Sequence, residues 1–368
     1  MTAARRSGRC ARPWPSLEFR AMEAPSDRGP HGGGIRTATD ADVPALRLVA
    51  ARSFDRERLH RAGVVDLLFT RPGVHQSLRL VATRGEEVVG LAFASTGRPG
   101  GDGHGGGSED ATGFVDALAV APHARRQGVG TALLAEAEVR LAAAGCRQVQ
   151  LGGTTWFYAW PGIDLAYTAA LAMAERAGFV QQEVVHNMDV DLRDWVPGLG
   201  AASLAPPSVG APGVGQPGGG RPGEAPVQVR RAAVADGPAL HDLAGAHFDA
   251  VWDHELALAL GRERPTVFVA ERAGRLIGFG AHGVYRADLF GPLATVPGER
   301  SGGVGRALLH ACLDDMAAAG LATAQIGWIG PAGFYARTVG ARIGRSFAIL
   351  RRSGAAGPRG AAAVEAGA

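Results

Sequence analysis

The chain repeats itself, and no other feature constrains its fold as much. IRTATDADVPAL (35–46) returns as VRRAAVADGPAL (229–240), and RLVATRGEEVVGLAFA (79–94) returns as VFVAERAGRLIGFGAH (267–282). LAVAPHARRQGVGTALL (118–134) returns as LATVPGERSGGVGRALL (293–309), and AAAGCRQVQLGG (142–153) as AAAGLATAQIGW (317–328). The spacing is 194 residues, then 188, then a constant 175 from Leu118 through Gly152. Two copies of one supersecondary module explain such a pattern. The drop to 175 falls where the first copy carries GRPGGDGHGGGSEDATG (97–113), which reads as an added surface loop.

Between the copies lies PGLGAASLAPPSVGAPGVGQPGGGRPGEAP, in which Gly and Pro dominate. Burial cannot offset the ordering entropy of such a stretch, so 197–226 reads as a flexible linker. Residues 1–34 read as a disordered leader without the apolar core of a secretory signal, and 354–368 as a disordered tail. The two modules are then 35–196 and 227–353.

Composition narrows the partners. Hydrophobic residues make up 46% of the chain and charged residues 20%, enough apolar material for packed cores. No run of 18 apolar residues occurs, so no membrane partner is expected. Lysine is absent, and the arginines alternate with Asp and Glu rather than gathering on one face, which argues against nucleic acid. Cys10, Cys146 and Cys312 are odd in number and far apart, giving no disulfide framework and no metal site. A reducing, cytoplasmic location follows as the expectation.

Within each copy the pattern predicts a strand, helices, three strands, a helix, a strand, a helix and closing strands. After each RxxGxG segment apolar residues recur at helical spacing: Val129, Ala132, Leu133, Ala137 and Leu141, then Val304, Leu308, Leu309, Leu313 and Met316. Gly145 and Gly320 are the predicted stops. The class is therefore α+β with a mixed sheet in each module.

The strand–turn–helix segment carries the chemistry. Glycines at 128 and 130 permit close approach, and a helix start leaves amide N–H groups unpaired, an arrangement suited to a pyrophosphate. A Walker A loop needs lysine, and a dinucleotide fingerprint needs glycine where Leu133 and Leu308 stand. What remains, V-x-P-x-x-R followed by x-x-G-x-G and an A-L-L helix, resembles motif A of the GNAT superfamily of acyl-CoA N-acyltransferases, in both copies.

The resemblance implies a mostly antiparallel mixed sheet per module, flanked by helices, with a splayed parallel strand pair. It assigns acyl-donor binding in the first copy to Leu118, Ala119, Val120, Arg125, Arg126, Gln127, Gly128, Val129, Gly130 and Thr131. In the second copy it assigns Leu293, Ala294, Thr295, Arg300, Ser301, Gly302, Gly303, Val304, Gly305 and Arg306. It implies acetyl-CoA as the donor, bound as a substrate. Family chemistry is direct attack of an amine on the thioester, with a tyrosine often supplying the proton to the leaving thiolate. Tyr335 answers to that tyrosine, with core packing as its other reading. Ala174 stands there in the first copy, leaving Tyr158 or water as substitutes. Asp116 is the candidate base, with a structural pairing equally open; Gly291 replaces it in the second copy. Trp156, Tyr158, Trp160 and Trp328 are candidate walls of an acceptor pocket. The WDHE run (252–255) reads as part of an exposed helix.

The function expected is N-acetyl transfer from acetyl-CoA to a primary amine of a small molecule, by direct attack in a ternary complex. The alternative is a non-catalytic acyl-CoA-binding sensor or scaffold with one or both modules degenerate. The oligomeric state is left open.

Overall fold

A computed structural model describes residues 34–57, 63–69, 77–96, 112–153, 160–198, 225–248, 250–300 and 302–353. Nearly all of the expected leader, inserted loop and linker, the whole tail, and Cys10 lie outside them. The first half runs β1 (Ile35–Thr37), α1 (Val43–Ser53), α2 (Gly63–Phe69), β2 (Ser77–Arg84), β3 (Glu87–Thr96) and β4 (Thr112–Val120). It continues with α3 (Val129–Ala143), β5 (Gln148–Leu151), β6 (Ile163–Asp164), α4 (Thr168–Arg176) and β7 (Val180–Asp191). The second half runs β8 (Val227–Arg231), α5 (Gly237–His247), α6 (Ala250–Leu260), β9 (Val267–Arg272), β10 (Arg275–His282) and β11 (Leu289–Thr295). Then come α7 (Val304–Ala318), β12 (Thr323–Ile326), α8 (Ala332–Val339) and β13 (Arg342–Ser353).

The class is α+β with a mixed sheet, as the pattern predicts. All pairings are antiparallel except β4 with β5 and β11 with β12. Helices α3 and α7 lie on the sheet at equivalent places, and glycine makes the close approach possible. A Cβ at Gly90 would stand 2.9 Å from Leu133, and one at Gly278 would stand 3.2 Å from Leu308 and 2.7 Å from the Ala294 carbonyl. The helical spacing predicts most of the buried face of both helices, but α7 also buries Ala307, His310, Cys312 and Asp315, and α3 differs at its start. Leu134 is buried, whereas Ala132 faces solvent. Leu134 is the larger apolar side chain, so its burial removes more surface from water.

The closing strands depart from the sequence reading. Each half has one long final strand, and it pairs with the other half. The sheet order is β1-β2-β3-β4-β5-β13-β7-β12-β11-β10-β9-β8. Strand β13 pairs with β5, Gln148 opposite Ser353 and Leu151 opposite Leu350. Strand β7 pairs with β12, Thr323 opposite Asp191 and Ile326 opposite Met188. These two registers are equivalent under the repeat. The exchanged strands also pair with each other, with Phe347 opposite Val185. Around that pair a small core of Val185, Phe347 and Ile349 packs against Trp160 and Trp328, one tryptophan from each half. Backbone hydrogen bonds and apolar burial thus join the halves into one sheet.

Polar groups join them as well. Arg345 of β13 is 6% exposed and donates to Asp164 (2.7 Å) and to Glu57 (2.7 Å), both from the first half. Burial opposes its charge, but the Glu57 and Asp164 carboxylates outweigh that and hold the guanidinium firmly protonated. Arg286 also reaches Glu57, at 3.4 Å, and pairs with Asp288 at 3.1 Å. Gln325 completes the link by accepting from Asn187 and donating to Asp189 of β7. Charges this deep persist only when paired.

Candidate active site

Each anion loop is shaped by glycine in the left-handed region at the helix N-cap: Gly128 has φ +83° and Gly303 has φ +79°. Arg126 shares that region, with φ +62°. The first helical bonds run from Ala132 N–H to the Gly128 carbonyl (2.9 Å) and from Ala307 N–H to Gly303 (3.0 Å). The amides of Val129, Gly130 and Thr131, and of Val304, Gly305 and Arg306, therefore have no helical acceptor, and they converge at the positive helix end. This is the donor set a pyrophosphate needs. The arginines before each loop do different work. Arg125 donates through Nε to the Val120 carbonyl (3.0 Å), and Arg300 donates to Thr295 (3.2 Å), strapping the loop to its strand end. Gln127 bonds the His123 carbonyl and accepts from Arg84. Ser301 lies outside the described residues.

The parallel pairs splay where the family resemblance places the donor's arm. Strand β4 pairs with β5 only through Val115, and β11 pairs with β12 only through Phe290. Beyond those points Leu118–Val120 and Leu293–Thr295 keep their antiparallel partners on one side and open on the other. Both strands bulge at the fork, at Asp116 in the first half and at Gly291 and Pro292 in the second. The forks differ in what enters them. In the first, the Trp160 indole N–H donates to the Asp116 carbonyl (3.1 Å), and its ring lies against Phe54, with centroids 5.5 Å apart. Asp116 itself is buried.

The second fork opens into a cavity of about 1080 Å³. Its lining includes Leu293, Ala294, Thr295, Arg300, Gly303, Val304, Gly305 and Arg306, and Tyr335 and Trp328 as well. Gly153 of the first half also lines it, so the site draws on both halves. Tyr335 is 8% exposed, with Phe290 and Phe334 meeting its ring edge-on. Core packing and cavity lining are both true of it. Burial pushes its phenol up to about 12, so the hydroxyl stays protonated at neutral pH. Contacts fix its first-half counterpart. Met173 approaches Gly130 as Phe334 approaches Gly305, which aligns Ala174 with Tyr335. Ala174 is fully buried and carries no proton to give.

Two expected residues, Trp156 and Tyr158, lie outside the described residues. One reading needs correction. The WDHE run is helical, but it is not an exposed face: Glu255 is 9% exposed, and Trp252 and Glu255 both line the second cavity. Trp252 stacks on Phe248 at 5.3 Å and meets Phe279 edge-on. The sequence held a clue, since a helix bearing tryptophan and leucine beside its charges has an apolar face to bury. Tyr285, which also lines the cavity, packs against cores of both halves and carried no such signal. Cys146 and Cys312 are buried, and burial pushes both thiols up, which keeps them inert. Among the described residues no group of three or more His, Cys, Asp and Glu side chains is placed to hold a metal ion. No helix among them is long and apolar enough to cross a membrane.

Comparison with known proteins agrees with this geometry. Residues 47–179 match the model of the acetyltransferase (GNAT) family. No curated protein sequence matches the chain. Among solved structures, the chain is similar to a GCN5-related glucosamine N-acetyltransferase region of a fungal multi-domain GH3 β-N-acetylglucosaminidase, with TM-score 0.67 and 18% identity. That match covers 90% of this chain but only 38% of the fungal one. A tandem GNAT protein from the clavulanic acid biosynthesis pathway matches with TM-score 0.59 and 16% identity, covering 88% of this chain and 99% of that one. A GCN5-related N-acetyltransferase from Sphaerobacter thermophilus matches with TM-score 0.57 and 15% identity, covering 87% and 95%. At these identities the likeness is one of fold.

Proposed function

Because residues 47–179 match the acetyltransferase (GNAT) family model and the chain shares its fold with a tandem GNAT protein, we propose that its second half transfers an acetyl group from acetyl-CoA to a primary amine of a small molecule. The observation that carries this reading is the coincidence, in one cavity, of an amide-rich helix start, an open strand fork and a buried protonated phenol. In the reaction the amine nitrogen attacks the thioester carbonyl, the N–C bond forms and the C–S bond breaks. The Tyr335 hydroxyl gives its proton to the departing thiolate. The proton shed by the nitrogen passes to water, and the phenolate recovers a proton from solvent. The loop amides of Val304–Arg306 would hold the donor's pyrophosphate, and the free edge of Leu293–Thr295 would align its arm.

The first half takes a different reading. It keeps the loop and the open strand edge, but Ala174 stands where Tyr335 stands, and Trp160 enters its fork. It binds acyl-CoA without turning it over and serves as a scaffold for the working half. Titration of acetyl-CoA by calorimetry, on wild type and on Arg125→Glu and Arg300→Glu, tests both readings. Two sites are expected in wild type and one in each variant, with the Arg300→Glu loss taking thiol release with it. No binding at all would end the acyltransferase reading. A similar loss of thiol release in both variants would end the division of labour.

A further inference from the structure

Two departures from the repeat meet at one side chain of the second cavity. The backbone just past each short parallel strand takes the left-handed region. The first half places glycine there: Gly153 has φ +69°, and a Cβ on it would stand 2.6 Å from the Pro161 carbonyl. Its counterpart is Trp328, at φ +41°. A bulky residue keeps that conformation only where its surroundings hold it. What holds it comes from the other half. The Trp328 N–H donates to Asn187 Oδ1 (2.9 Å), and the next amide, that of Ile329, donates to the His186 carbonyl (3.0 Å), both on β7. Asn187 is fully buried, and its Nδ2 donates to Gln325 of β12 (3.1 Å), so both ends of its amide are engaged. The register of β13 puts Ile349 where Asn187 stands, and that side chain can accept no hydrogen bond.

The place of Trp328 in the fork decides what it meets. Strands β11 and β12 part after Phe290 and Ile326, the Gly327 N–H still reaches the Phe290 carbonyl at 3.5 Å, and Trp328 follows. A donor held at Val304–Arg306, with its arm running back along the free edge from Thr295 to Leu293, brings its acyl end to this point. Gly291 and Gly327 flank the opening without side chains, and a Cβ at Gly291 would meet nothing within 4 Å, which leaves room for the thioester. Trp328 lines the cavity and is backed by Val185, Phe347 and Ile349, so its ring has little room to withdraw.

We propose that Trp328 limits the acyl group of the second half to a short chain, and that Asn187, through its bond to the Trp328 amide, is the positioning residue that keeps the ring in place. The donor class is thus a short-chain acyl-CoA, its length set by a residue pair that spans the two halves. This inference rests on the acyl-CoA reading of the second cavity.

The test uses the full chain carrying Arg125→Glu, which leaves the second site to be titrated by calorimetry with CoA, acetyl-CoA and hexanoyl-CoA. Acetyl-CoA should bind about tenfold or more tightly than hexanoyl-CoA. Trp328→Gly should bring the two esters within about threefold of each other. It should move CoA affinity by no more than about threefold, which also reports that the variant folds. Asn187→Ile, which installs the side chain of the equivalent β13 position, should narrow the gap in the same direction. Added to Trp328→Gly it should change the ratio no further, because its effect runs through the ring it holds. Equal binding of both esters at the unaltered second site overturns the proposal and needs no further variant. So does a gap that survives Trp328→Gly. A ratio that Asn187→Ile leaves untouched, or moves again in the double variant, overturns the role of Asn187. Failure of CoA and both esters to bind would sink the acyltransferase reading, whereas CoA binding with no preference between the esters would sink this inference alone.

Discussion

The two halves agree in backbone and part company in a few side chains. Their anion loops begin with glycines at φ +83° and +79°, their parallel strands fork after equivalent residues, and their last strands cross into each other's sheet in the same register. Against that, Tyr335 faces the second fork where Ala174 stands in the first, and the Trp160 indole occupies the Asp116 carbonyl. Folding requirements act on the shared features, because an altered glycine or register would disturb the common sheet. Under the proposed function, chemistry acts on the differing ones. A duplicated fold can therefore keep two frames intact while only one retains the groups for transfer.

The largest effect that would break this comparison concerns the exchange itself. Arg345 in β13 is buried between Glu57 and Asp164, whereas its counterpart in β7, Glu183, faces solvent. Arg345→Met should cost about 3 kcal/mol in denaturant unfolding, because two buried carboxylates lose their nearest partner and keep only the longer contacts to Arg286 and Arg56. Glu183→Met should change stability by no more than about 0.5 kcal/mol. Equal costs would show that the interface is symmetric in energy as well as in backbone.

A smaller effect sharpens what the halves share. Arg36 pairs with Asp42, and Arg230 pairs with Asp236, both at the turn that starts the first helix. The arginine hydrogen bond holds each carboxyl below the usual carboxylate range. A depressed carboxyl pKa stabilises the fold above the unfolded value near 4, and the gain is lost as pH falls through that value toward the folded one. Asp42→Ala and Asp236→Ala should each cost about 1 kcal/mol at pH 7, because the arginines remain partly exposed. Urea unfolding at pH 7 and at pH 3 checks this: the cost should be present at the first and smaller at the second. A difference of more than about 1 kcal/mol between the variants would mean the frames are not equivalent.

Much of this was legible in the residues. The repeat, the loop glycines and the apolar spacing of α7 lead directly to the frames, because turns and helix faces are local consequences of sequence. The exchange was not legible. A strand such as VQQEVVHNMDVD reads alike whichever sheet it joins, and partner choice depends on contacts far apart in the chain. Glu255 was hidden for a related reason: its charge reads as solvent-facing until Trp252 and Leu256 on the same helix are seen to be covered. Tyr335 was legible as a position, though its company in the cavity was not.

The proposed division of labour rests on Tyr335, and its removal is the most direct trial. Thiol release from acetyl-CoA should be followed for Tyr335→Phe and wild type, with the best acceptor from a panel of primary amines. The variant should lose about 100-fold or more in kcat, still bind acetyl-CoA at two sites, and leave a wild-type rate that does not fall between pH 7 and 10, since the phenol is held up to about 12. A kcat within threefold of wild type would contradict the account and move the chemistry to another acid or to the first half.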